Sequence, residues 1–97
     1  MLYPDWKNCS YLGEKFYGTA NKDGWYIFHI GQSGTLPSGG GISLYINGFF
    51  ACSSVQTYGG HNTDIILLQK GDIWAAQIDG YVTDSPHCEV YYIPFKR

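Results

Sequence analysis

Four runs of this chain are apolar on both faces when read as extended strands. Side chains alternate sides along a strand. In Trp25-Tyr26-Ile27-Phe28-His29-Ile30, one face carries Trp25, Ile27 and His29 and the other carries Tyr26, Phe28 and Ile30. Residues 64–68, 73–78 and 88–95 read in much the same way. A chain of 97 residues has one core and is too small to cover both sides of every strand. The pattern therefore predicts that other copies of the chain cover the second side, making this the subunit of a tight oligomer.

The punctuation between these runs predicts the remaining elements. The first ten residues, with Tyr3-Pro4-Asp5-Trp6, read as an irregular lead-in whose aromatics tack it onto the body. Residues 12–19 form a first strand, weakened by Gly13. Asn21-Lys22-Asp23-Gly24 is a turn that launches the strand 25–30. A Gly- and Ser-rich loop with Pro37 spans 31–41. An alternating strand follows at 42–46, with Ile42, Leu44 and Ile46 on one face. Asn47-Gly48 is a type I′ hairpin signal, because both residues tolerate positive φ, and 49–55 returns antiparallel. A second polar loop covers 58–63. Strands at 64–69 and 73–79 flank the tight turn Lys70-Gly71-Asp72. A third loop covers 80–86, and the last strand runs 87–95. Seven or eight short antiparallel strands with a turn about every ten residues predict an all-β chain. The expected architecture is a jelly-roll-like β-sandwich spanning 1–97 as a single domain.

Composition narrows the function classes. Charged residues make up 14% of the chain, below the usual ~25%, so much of its surface must be apolar or neutral. Thirteen Gly and four Pro leave no Gly-free run of helical periodicity. The net charge of -2, with no basic stripe, argues against nucleic acid. Apolar stretches of about four residues fall far short of the ~20 a spanning helix needs, so no membrane insertion is expected. No signal peptide is visible. The expectation is a mature domain given without its leader, or exit by another route such as assembly into a virion. Cys9, Cys52 and Cys88 are odd in number and lack a C-x-x-C pair, which predicts small buried thiols rather than a disulfide framework. Asn8-Cys9-Ser10 matches a glycosylation sequon, a short pattern that carries little weight.

The candidate chemistry is sparse. The acids are Asp5, Glu14, Asp23, Asp64, Asp72, Asp79, Asp84 and Glu89, and no two share a strand face at close spacing. Nothing nominates the carboxylate pair a glycosidase needs. His87 and Cys88 are neighbours in sequence, but adjacent strand residues point to opposite faces. Gly39-Gly40-Gly41 has neither a following helix nor the Lys-Ser/Thr of a phosphate loop. The expected protein is non-enzymatic and takes no cofactor. His29, His61 and His87 lie on separate elements without metal-ligand spacing, so one chain is expected to hold no metal. A symmetric trimer could gather three copies of His29, though a hydrogen-bonded interface histidine is the simpler expectation. Lys70-Gly71-Asp72 matches an integrin-type tripeptide, and ordinary turn chemistry accounts for it. What remains is binding. The loops and their edges combine aromatics with amides and hydroxyls, as a sugar requires: a flat apolar face plus short donors and acceptors. Tyr58, His61, Asn62 and Tyr81 are the candidate ligand-binding residues. Trp25, Ile27, His29, Trp74 and Tyr92 are the candidate oligomer-interface or core residues.

Four stretches carry a family resemblance. Tyr3-Pro4-Asp5-Trp6 looks like the "PD-aromatic" opening of the C-terminal head domains of bacteriophage tail fibres. Gly18-Thr19-Ala20 followed by Asp23-Gly24-Trp25-Tyr26-Ile27 is similar to their "YTAP.DGW/Y" segment. This chain has Asn21-Lys22 where the family often has Pro-Ser or Pro-Ala. Leu68-Gln69-Lys70-Gly71-Asp72-Ile73-Trp74 looks like their "KGD" turn, and Tyr91-Tyr92-Ile93-Pro94-Phe95-Lys96-Arg97 resembles their terminal "FIPYK". Complement-type and tumour necrosis factor-like trimeric heads share this grammar. The resemblance implies a homotrimeric jelly-roll knob at a virion's tail-fibre tip, outside the cell. Its implied partners are an upstream fibre shaft and a bacterial surface receptor, often a polysaccharide. It transfers no binding residue. The rival expectations are a monomeric bacterial carbohydrate-binding module and a trimerisation or assembly cap without ligand.

Overall fold

The computed structural model describes residues 3–32, 41–54, 60–79 and 86–96. They form a two-layer, all-β sandwich. Its eight strands are β1 (Ser10–Glu14), β2 (Tyr17–Thr19), β3 (Gly24–Gln32), β4 (Gly41–Ile46), β5 (Phe49–Ser53), β6 (Gly60–Leu68), β7 (Ile73–Asp79) and β8 (Pro86–Ile93). One antiparallel sheet has the order β1-β8-β3-β6 and the other β2-β7-β4-β5. The pairs β1·β8, β2·β7, β3·β6 and β4·β5 are nested, first with last and inward to the middle, as when one long hairpin is rolled up. No helix among the described residues is long and apolar enough to cross a membrane.

The core lies between the sheets and is built by strand alternation. Tyr26, Phe28 and Ile30 of β3 point inward with Cys88 and Val90 of β8, and Ile42, Leu44 and Trp74 meet them from the other sheet. Phe28 and Trp74 pack edge-on with ring centroids 5.5 Å apart. Along one side, polar groups join the two sheets: Asn62 Nδ2 of β6 donates to the Ser53 carbonyl of β5 at 3.2 Å.

The hairpin signals hold. Asn47 and Gly48 both have positive φ, 51° and 85°, as the predicted type I′ turn requires. The 21–24 turn and the Lys70-Gly71-Asp72 turn lie together. Asp23 Oδ1 accepts the Lys70 N–H at 2.7 Å, and Ala20 exchanges backbone bonds with Gly71 and Asp72. The tripeptide Lys70-Gly71-Asp72 is thus occupied as a turn.

Three expectations need correction. The single strand predicted at 12–19 is two strands in different sheets, broken at Lys15-Phe16. Lys15 N–H donates to the Cys88 carbonyl and the Lys15 carbonyl accepts the Trp74 indole N–H at 3.2 Å, so the crossing point is pinned to both layers. The loop predicted at 31–41 gives up both ends to strands, since β3 runs to Gln32 and β4 starts at Gly41, and the loop predicted at 58–63 overlaps β6, which starts at Gly60. Gly31 and Gln32 pair with His61 and Gly60 on one side and with His87 and Pro86 on the other, because a central strand with two partners satisfies its backbone despite a polar, Gly-containing sequence. The lead-in is held by backbone rather than by aromatics. Tyr3 and Trp6 are exposed, while Asp5 N–H donates to the Pro94 carbonyl and Lys96 N–H to the Tyr3 carbonyl, each at 2.8 Å. The first and last resembling stretches therefore lie side by side, joined by the Pro4–Phe95 bridge.

Candidate functional site

Strand alternation and register place every second residue of four strands on the outer face of the β1-β8-β3-β6 sheet. Across the strands, Tyr11, Tyr91, Ile27 and Ile65 form one row and Ile93, Trp25 and Leu67 the next. Ile65 is 39% exposed, Leu67 41% and Tyr11 57% in the single chain, while Trp25, Ile27 and Tyr91 are half-buried and Ile93 is already fully buried. The apolar second face expected of the 25–30 and 64–68 runs is thus present and lies outside the sandwich. Of the candidate interface or core residues, Trp25, Ile27 and His29 stand on this face. Trp74 is buried in the core, and Tyr92 points inward with its hydroxyl donating to the Asp23 carbonyl at 2.9 Å.

The other end of the same face is polar. Glu89, His29 and Thr63 form one row, and His87, Gly31 and His61 the last. Gly31 is the centre of this arrangement. It has no side chain to separate its two neighbours, so the His61 and His87 rings close over it to a centroid distance of 4.9 Å. A Cβ on Gly31 would overlap the Gly60 carbonyl and stand 3.0 Å from His61 Cδ2. His29, two residues back on the same strand, stacks on His61 at 5.3 Å and lies 5.2 Å from His87. One ligand nitrogen from each ring lies within 4.8 Å of the others.

A hydrogen bond orients one of the rings. His29 Nδ1 shares a hydrogen bond with Thr63 Oγ1 at 2.6 Å. Glu89 Oε1 stands 3.6 Å from His87 Nδ1, beyond hydrogen-bonding length, so this buried nitrogen has no hydrogen-bond partner among the described residues. Burial holds His61 below the ordinary imidazole range, reinforced by the His87 and His29 rings and opposed by Glu89.

This cluster corrects the expectation that His29, His61 and His87 of one chain form no metal-ligand constellation. The three residues share a strand face through the β6-β3-β8 register, which spacing along the chain does not reveal. The parity of His29 and Gly31 was visible, but the two partner registers were not. Of the candidate ligand-binding residues, His61 belongs to the cluster. Asn62 points to the opposite face and bonds Ser53, and both are strand residues rather than loop residues. Tyr58 and Tyr81 lie outside the described residues.

A second feature is a cleft of about 400 Å³ where β1 and β2 part into their separate sheets. Tyr17 and Tyr92 supply aromatic surface beside the buried Tyr26 and Trp74, and Lys15 and Lys22 supply charge. Such a lining offers ring faces for stacking beside hydrogen-bond donors. No protein-family model matches the chain, and no curated protein matches it.

Proposed function

We propose that this chain is the homotrimeric receptor-binding head of a bacteriophage tail fibre, a non-enzymatic jelly-roll knob that recognises a bacterial surface glycan or protein. The observation that carries the reading is the outer face with its two consecutive apolar rows, centred on Trp25, Ile27, Ile65 and Leu67. Packing three such faces about an axis removes them from water. At about 25 cal/mol per Å², an interface of roughly a few thousand Å² would dominate the stability of so small a domain. The nested strand pairing of the two four-stranded sheets supports a jelly-roll wrapping. The four resembling stretches also meet in pairs: Pro4 with Phe95, and the Asp23 turn with the Lys70-Gly71-Asp72 turn. Three copies of a weak site on one rigid head gain avidity without stronger individual contacts.

The test has two arms. Sedimentation at micromolar concentration should give three times the single-chain mass. The variants Tyr58→Ala and Tyr81→Ala should then reduce adsorption to host cells with melting nearly unchanged, whereas Trp25→Ala should dissociate or unfold the head. A single-chain mass removes the trimer. Undiminished adsorption by both tyrosine variants removes them from the site.

The aromatic cleft favours one alternative, a monomeric carbohydrate-binding module that stacks a sugar ring against Tyr17 and Tyr92. A single-chain mass together with glycan binding lost in Tyr17→Ala would select it.

A further inference from the structure

The geometry points to a binding site for a divalent transition-metal ion of the zinc class, formed by His29, His61 and His87 on three adjacent strands. Each residue comes from a different strand of one sheet, and the ladder fixes all three backbones. Nitrogens bound to one tetrahedral zinc at about 2.1 Å lie about 3.4 Å apart. The widest pair here is at most 4.8 Å apart, so side-chain rotation alone closes the cluster onto an ion.

Three observations distinguish this cluster from a chance grouping of surface histidines. Gly31 leaves the floor open, and any side chain there would meet His61. Thr63 holds His29 from the side and Glu89 stands beside His87, the hydroxyl and carboxylate neighbours that orient metal-bound imidazoles. His87 Nδ1 is buried and lacks a hydrogen-bond partner among the described residues, a polar atom that Glu89 reaches only by closing up.

The donor set selects the ion. Imidazole nitrogen suits zinc, nickel, cobalt and copper, whereas calcium and magnesium demand shells of oxygen. Three protein ligands leave a fourth position, and the exposure of His61 opens it to water. The site is complete within one chain, so it stands or falls separately from the trimeric receptor-binding reading.

Equilibrium dialysis of the untagged full chain against zinc chloride tests it, with the visible spectrum of the cobalt form as a second readout. The expected result is one zinc per chain at low-micromolar free metal, and an intense cobalt d–d band of low coordination number. His61→Ala removes an exposed side chain and should leave melting of the metal-free protein unchanged while weakening zinc by about 100-fold or more. Cys9→Ser removes the exposed thiol, the competing zinc ligand, and should bind as the wild type does. The site is refuted by a wild type that takes up no zinc at about 100 µM free metal. Equal affinity in His61→Ala, or loss of zinc in Cys9→Ser, refutes it as well.

Discussion

Asn47 and Asp72 clasp the turn between β4 and β5 to the turn between β6 and β7. Asn47 Nδ2 donates to Asp72 Oδ1 at 3.0 Å, and Asn47 Oδ1 accepts the Ile73 N–H at 2.9 Å. Asp72 Oδ2 accepts the Gln69 N–H at 2.8 Å inside its own turn. Each side chain thus serves two elements.

The clasp makes stability depend on acid. The Asn47 amide, and after it the Gln69 N–H, hold the Asp72 carboxyl below its ordinary value of 3.8. A carboxylate favoured by the folded state contributes stability above its unfolded value, and that contribution disappears as pH falls through the folded one. The melting temperature of the wild type should therefore fall from about pH 5 to about pH 3 more steeply than that of Asp72→Asn. Equal slopes would show that the clasp contributes nothing. Asn47→Ala should lower melting at neutral pH, since it removes two hydrogen bonds and places Ala at a φ of 51°.

Turn chemistry of this kind was legible from the sequence because it is local. Asn47-Gly48 and Asp23-Gly24 announce their backbone within two residues, and the apolar alternation of β3 announces both of its faces. Registers are not local. The break at Lys15-Phe16 depends on Trp74, 59 positions away in the chain. The histidine cluster depends on Gly31 pairing with His61 and His87 at once. Polar residues at 60–63 looked like a loop because a strand end that faces solvent and other histidines carries no apolar signature.

Gly18 is required by close packing. A Cβ there would overlap Trp74 Cζ2 and lie 2.8 Å from Cε2, because the indole lies directly over the β2 backbone. Trp74 is itself buried and packed against Phe28 and Tyr26. Gly18→Ala should destabilise by about 1–3 kcal/mol, the usual cost of overpacking. Chemical denaturation measures it. In the double variant Gly18→Ala/Trp74→Phe, the smaller ring should recover part of the loss. Additive losses would place the strain elsewhere.

The three thiols should react in a fixed order. Cys9 is exposed, and Cys52 is intermediate, with its thiol pushed up to about 11 by burial and the Asp64 carboxylate. Cys88 is buried in the core, where burial above all pushes it up to about 12. Thiolate is the reactive form. An alkylating reagent at neutral pH should label Cys9 alone in the native protein and all three in denaturant. Mass spectrometry of the native reaction decides the point, and prompt labelling of Cys88 would mean that the core opens.

The outer face and the core can be separated by substitution, because they are opposite sides of the same strands. Phe28 is fully buried between the sheets, so Phe28→Ala should cost about 3–5 kcal/mol and unfold the chain at lower denaturant in any oligomeric state. Ile65 lies across from Ile27 on the outer face and is 39% exposed in one chain. A charge there meets water in the single copy but a dry partner in an assembly, where an unpaired buried charge is strongly unfavourable. Ile65→Glu should therefore leave the far-ultraviolet spectrum of the sandwich intact while the sedimenting mass falls to that of one chain. An unchanged assembly in Ile65→Glu would place this face in solvent and leave its two apolar rows without the partner proposed for them.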